Sequence, residues 1–269
     1  MTGNGFDPVE YVDGSYAKGL LLICDHAANT LPQAYGSLGL PQSEFSRHIA
    51  YDIGARAVTL GLAEKLGVPA VLSTFSRLLI DPNRGEDDPT LVMRLSDGTV
   101  IPGNHPITDA EIEHRLARFH RPYHQAIDAA IEKFLDAGIT PAVFSVHSFT
   151  GNWRGRPRPW HATLLWDYDP RFTKPLLEEF SRVEGMVFAD NEPYDGALRN
   201  DTMFRHCSMR GLAHTLIELR QDLIGDEAGV KHWVETLAPM LERVNALAEV
   251  HEVRHFESRT GPLKHLLKD

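Results

Sequence analysis

Short, almost purely apolar runs that end abruptly in chemically active residues constrain this chain most. Residues 19–24 (GLLLIC) and 141–146 (PAVFSV) have the composition of strands buried on both faces, and 211–219 (GLAHTLIEL) reads as a further central strand. Residues 69–74, 78–80, 162–166 and 186–189 are shorter strand material. Between these runs the apolar period changes to that of a helix. Phe45, Ile49, Ile53, Val58, Leu62 and Leu66 predict a helix over 43–66, closed by Gly67. Thr108 to Glu111 has the pattern of a capping box and opens a helix to residue 137 with a bend at Pro122. Further helices are expected around 174–183 and over 227–251, the last with Trp233, Leu237, Met240 and Val244 on one stripe.

Strands alternating with helices give an α/β fold: one central mixed, mostly parallel sheet flanked by helices on both faces. With 269 residues the chain is expected to form a single domain, 1–269, in which the polar, Gly/Pro-rich stretch at about 86–106 is a lid-like loop. Ligands of such sheets bind outside the carboxyl ends of the strands. Asp25-His26, the 81–84 loop (DPNR), His147-Ser148 and Glu218 to Arg220 all stand at or near such ends.

Composition narrows the function classes. Lys and Arg total 27 against 37 Asp and Glu, and the formal charge of -10 repels a phosphate backbone, so nucleic acid is not an expected partner. Two cysteines, Cys24 and Cys207, form no disulfide scaffold and suit a reducing cytoplasm. Residues 1–15 have no basic n-region or long apolar run, and no stretch approaches the roughly 18 apolar residues of a spanning helix, so neither secretion nor membrane insertion is expected. The 14 histidines are a supply of metal ligands and proton carriers if some converge.

His26 and His147 are candidate metal ligands, because neutral imidazole is a preferred donor to zinc and related divalent ions. A lone histidine at a strand end is more often a hydrogen-bonded structural residue, and two in matching positions shift that balance. The third ligand is open between Asn29, in a His-x-x-Asn spacing, and Asp52, placed on the first helix four residues after His48. Asp25 is a candidate to orient His26. Glu218 has two readings: a sheet-face carboxylate paired with Arg220, or a general base whose pKa burial has raised. Asn83 and Arg84 form either a carboxylate clamp or an exposed turn. Arg154, Arg156 and Arg158, interleaved with Trp153 and Trp160, are either a second anion site or a solvated loop. His120 and His124 have an i,i+4 metal spacing, though on an amphipathic helix they read more simply as a surface pair. No dinucleotide fingerprint, P-loop or serine-hydrolase elbow occurs.

The runs LLICDHAANTLP, HIAYDIGA, FSRLLIDPNR, FHRPYHQAI, SVHSFT, DNEPYDG and RGLAHTLIELRQDLI, in order from about residue 20 to about 225, resemble the N-formylglutamate amidohydrolase family. That family is similar to the zinc carboxypeptidase and aspartoacylase group, with a phosphorylase/hydrolase-like or zinc-exopeptidase-like sheet. The resemblance implies that His26 and His147 bind the metal, that Asn83 and Arg84 hold a substrate carboxylate, and that Glu218 is the general base. Where the carboxypeptidase pattern has a glutamate ligand, this sequence has Asn29.

The resulting expectation is a divalent metal, zinc first, and a small acidic N-acyl amino acid as substrate, most simply N-formyl-L-glutamate. Arg220 is expected to fix Glu218 or stabilise an oxyanion, with Ser148 and Arg154 as further substrate contacts. The alternatives are a carboxypeptidase-like deacylase acting on another N-acyl amino acid or peptide, and a carboxylate-binding protein without catalysis.

Overall fold

The structure is a computed structural model that describes residues 5–263. Seven strands form the main sheet: β1 (Val9–Val12), β2 (Leu20–Cys24), β3 (Ala70–Ser73), β4 (Ala142–Phe149), β5 (Ala162–Leu165), β6 (Phe188–Asp190) and β7 (His214–Arg220). Their order is β1-β3-β2-β4-β7-β5-β6. The central β3, β2, β4 and β7 are mutually parallel, while β1 is antiparallel to β3 and β5 antiparallel to β7. The chain is thus a single α/β domain with a mostly parallel mixed sheet.

The two-residue period of the strands sorts their side chains onto two faces. Leu20 and Leu22 of β2, Phe144 and Val146 of β4, and Ile217 and Leu219 of β7 pack in one layer with helices α1 (Ala55–Leu66), α4 (Pro170–Ser181) and α6 (Glu227–Asn245). Leu21, Ile23, Val143 and Leu216 point the other way, toward α3 (Arg121–Asp136) and the buried 75–80 segment. The same alternation puts Ser145, His147 and Glu218 on this second face. Glu218 and His147 are direct Cα partners in the β7–β4 ladder.

Three departures from the expected elements shape the site. The helix expected over 43–66 exists only as α1. Residues 42–46 form one 3-10 turn, and Gly54 at φ 81° breaks the helical path. Asp52 therefore precedes α1 instead of standing on it, and its backbone N–H donates to the His26 carbonyl at 3.0 Å. Residues 78–80 are a turn and not a strand, because Ser76 engages Leu78 N through its hydroxyl and Leu79 N through its carbonyl. The third is a π-turn at Leu116–His120, which joins α2 (Asp109–Arg115) to α3 just before Pro122. Proline has no N–H to continue the helical ladder, which permits this wider turn.

The base of the 86–106 segment is tied down. Leu91, Val92, Ile101 and Asn104 are buried, and the Asn104 amide donates to the carbonyls of Leu78 at 2.8 Å and Met93 at 2.7 Å. Its outer part is a small hairpin, Leu95–Ser96 against Thr99–Val100. Among the described residues no helix is long and apolar enough to cross a membrane.

Candidate active site

At the carboxyl ends of β2 and β4, His26, Asp52 and His147 meet in the interior, with ligand atoms all within 4.8 Å of one another. The Nδ1 atoms of His26 and His147 lie 3.2 Å and 2.8 Å from the same oxygen, Asp52 Oδ2. The outer nitrogens are anchored separately: His26 Nε2 donates to Asp81 Oδ1 at 2.7 Å and His147 Nε2 to Asp25 Oδ2 at 2.9 Å. Asp25 thus orients His147, and His26 is oriented by Asp81. A metal-binding histidine typically gives its second N–H to a carboxylate in this way, which leaves the other nitrogen as a lone-pair donor. Tetrahedral donors about 2.0–2.1 Å from a zinc ion stand about 3.3 Å apart, against 3.2 Å from Asp52 Oδ2 to His26 Nδ1 and 2.8 Å to His147 Nδ1.

Charge points to the same use. Burial opposes ionisation of Asp25, Asp52 and Asp81, but histidine contacts, and Arg77 beside Asp81, outweigh it and hold all three below the ordinary carboxylate range. The nearest fixed cation is Arg77, whose Nη2 donates to Asp81 Oδ2 at 2.7 Å and whose Nη1 approaches Asp52 to 3.6 Å. Three anions and one guanidinium leave a deficit that protons on the histidines or a divalent cation must fill. In the metal-free protein His147 takes this role. Burial works against its charge, yet hydrogen bonds to Asp25 and Asp52 hold its pKa well above the ordinary value. The donor set, two imidazoles and a carboxylate with both imidazoles anchored, fits a divalent metal such as zinc.

A cleft of about 370 Å³ opens over these residues, lined by Arg77, Asn83, Arg84, Ser148 and Glu218 and, on an apolar side, by Leu165, Met203 and Leu216. Glu218 reaches it from β7. Burial, and then the Asp52 charge, raise its pKa to about 7, with His147, His26 and Arg77 opposing, and Oε2 is buried without a hydrogen-bond partner. Arg77 Nε is likewise buried and unpartnered. Asp201, also on the wall, caps α5 (Thr202–His206) by accepting from Phe204 N at 2.7 Å, and burial raises its pKa to about 7.

The family model of the N-formylglutamate amidohydrolases matches residues 18–225. The chain belongs to the N-formylglutamate amidohydrolase family. The crystal structure of a gene product of Agrobacterium tumefaciens, 31% identical, aligns with 92% of this chain and 97% of its own at a TM-score of 0.84. The structure of N-formylglutamate amidohydrolase from Ralstonia eutropha, 23% identical, covers 88% of this chain and 97% of its own at a TM-score of 0.61 and shares the fold. No curated sequence matches the chain.

The segments that resemble the N-formylglutamate amidohydrolase family place their polar residues unevenly around this cleft. His26, Asp52, Asn83, Arg84, His147, Ser148 and Glu218 all line it. Asn83 Oδ1 accepts from Thr202 N at 3.1 Å, and Arg84 Nη1 donates to the Asn83 carbonyl at 2.8 Å. Ser148 Oγ donates to the Ile53 carbonyl at 2.9 Å. Asn29 is turned away: its amide donates to the Phe45 carbonyl at 2.7 Å, outside the His26-Asp52-His147 group. Arg220 also leaves the cleft, because its guanidinium is held by Asp222 at 2.8 Å and by the carbonyls of Arg158, Pro159 and Trp160. Arg154 sits in the turn of the Asn152–Trp153 and Arg156–Pro157 hairpin at φ 51°, over the Trp153 ring. Arg77 and Asp201 are cleft residues that sequence reasoning passed over. For Arg77 the signal was the i,i+4 spacing to Asp81 within FSRLLID.

Proposed function

We propose that this chain is a metal-dependent amidohydrolase that cleaves the formyl amide of an acidic amino acid, N-formyl-L-glutamate plus water giving L-glutamate and formate. The observation that carries the reading is the convergence of two anchored imidazoles and one carboxylate beside an unpaired, high-pKa glutamate. Family membership supplies the amide class.

His26, Asp52 and His147 would hold the ion. When bound, it supplies Lewis acidity, making water more acidic and the amide carbonyl more electrophilic. The other roles belong to the chain itself. Glu218 Oε2 accepts a proton from the attacking water and delivers it to the leaving nitrogen, a task suited to a pKa near neutrality. Asn83 has its oxygen occupied by Thr202, so its NH2 group is the part available to a carboxylate, and Arg84 adds a guanidinium fork beside it. Arg77 contributes positive charge and a free Nε–H at the wall of the cleft.

The apolar wall of Leu165, Met203 and Leu216 favours a second reading, hydrolysis of a longer acyl group. A panel of N-formyl-, N-acetyl- and N-succinyl-L-glutamate separates the two. Deformylation predicts that kcat/KM is highest for the formyl compound by about tenfold or more. A higher value for a longer acyl group would replace it with the second reading.

A further inference from the structure

Behind the cleft, three more histidines form a chain that ends at the 82–84 loop. His120 and His124 are buried, not a surface pair, and His124 stacks on His206 of α5 with ring centroids 5.0 Å apart. His120 Nε2 lies 2.9 Å from the Arg84 carbonyl and His124 Nε2 3.0 Å from that of Pro82. His124 Nδ1 is 2.7 Å from His206 Nε2, and His206 Nδ1 is 2.9 Å from Asp128 Oδ1.

Proton counting limits what this chain can be. The line from Pro82 O through His124 and His206 to Asp128 begins and ends on atoms that only accept. Its three hydrogen bonds need three protons, and two neutral imidazoles bring two. All three form if His206 is an imidazolium, donating from Nδ1 to Asp128 and from Nε2 to His124, while His124 is neutral with its proton on Nε2. Burial, followed by the neighbouring His120 and His206, holds His124 well below the ordinary histidine range, in keeping with a neutral ring. Asp128, half exposed and also 3.5 Å from Arg210 Nη1, supplies the counter-charge, with Arg205 nearby on α5. In the neutral alternative the protons run from His120 through His124 and His206 to Asp128. It sets a bare Nε2 of His124 against the Pro82 carbonyl at 3.0 Å, two acceptors face to face, whereas the charged arrangement sets the Nε2–H groups of His120 and His124 3.2 Å apart, each with its own carbonyl acceptor at 2.9 Å and 3.0 Å.

We propose that His120 and His124 are positioning residues for the carboxylate clamp: they hold the two carbonyls flanking Asn83, and a charged His206–Asp128 pair keeps His124 in its donor form. The inference rests on the reading of Asn83 and Arg84 as that clamp.

Two measurements on the full-length protein test it. A ring-nitrogen NMR spectrum near neutral pH should show one imidazole protonated on both nitrogens, coupled across its N–H···N bond to a neutral ring protonated on Nε2. Two neutral rings joined by that bond would overturn the proposal, and this measurement needs no variant to fold. Kinetically, His124→Leu should raise KM for N-formyl-L-glutamate about tenfold with kcat changed less than about threefold. His124→Gln, which keeps a donor near the Nε2 position, should recover most of the loss. Arg84→Ala separates this inference from its premise. If Arg84→Ala leaves KM unchanged, the clamp falls and the positioning role with it. If Arg84→Ala raises KM but His124→Leu does not, the positioning role alone is overturned.

Discussion

At the scale of single residues, Glu218 pays in stability for its chemistry. Its pKa of about 7 in the folded chain lies above the roughly 4.3 of an unfolded glutamate. The folded state therefore favours the protonated form. In the metal-free protein this contribution is fully present below about pH 4.3 and is lost as the pH rises through about 7. Glu218→Gln, which cannot ionise, should melt several degrees higher than the parent at about pH 8, both without metal. The same substitution should lower kcat about 10²- to 10⁴-fold while KM and metal content stay close to the parent values. Calorimetry and steady-state kinetics on one preparation check both, and full activity would remove Glu218 as the base. Asp25 acts at one remove, holding His147 Nε2 at 2.9 Å and itself accepting from Tyr123 and Thr202. Asp25→Asn should weaken zinc affinity about 10- to 100-fold, measured by competition with a chromophoric chelator.

At the scale of elements, the decisive feature is the break that keeps Asp52 off α1. Gly54 adopts φ 81°, and a Cβ there would meet the Ile224 carbonyl oxygen at 2.3 Å, so both conformation and space require glycine. Gly54→Ala should destabilise the fold by more than about 1 kcal/mol and shift Asp52, reducing zinc binding together with the melting temperature. Unchanged zinc affinity in a folded variant would show that Asp52 does not depend on this turn. The break also marks how far the sequence was legible. The strands announced themselves as short apolar runs, and because β4 and β7 are parallel and in register, the alternation that buries Val143 and Leu216 also aims His147 and Glu218 at one cleft. The helical period from Phe45 to Leu66, by contrast, concealed a change of path, since Phe45 and Ile49 are buried for tertiary reasons outside any α-helix. Asn29 and Arg220 illustrate the same limit. Their spacing was suggestive, but Asn29 is taken by the Phe45 carbonyl and Arg220 by the carbonyls of Arg158, Pro159 and Trp160, partners that only the folded chain brings near, with Asp222 two residues on completing the hold on Arg220. The pairing of Asp81 with His26 likewise follows from a loop path with no local sequence signature, and that of Asp25 with His147 from the register of β2 against β4.

At the scale of the whole molecule, the sheet gathers side chains that are far apart in sequence into a small volume of concentrated negative charge, inside a protein whose formal charge is already -10. Such a cluster is tolerable where cations complete it, and Arg77, Arg84 and the proposed metal ion are those cations. An ion held by His26, Asp52 and His147 would link the end of β2, the approach to α1 and β4, so loading should also raise the melting temperature. The central claim, metal-dependent deformylation, is tested most directly by N-formyl-L-glutamate turnover before chelation, after exhaustive chelation, and after return of zinc, with metal content measured at each stage. About one divalent ion per active chain is expected, with loss of turnover on its removal and recovery on its return. Undiminished turnover by protein shown to be metal-free would contradict the claim.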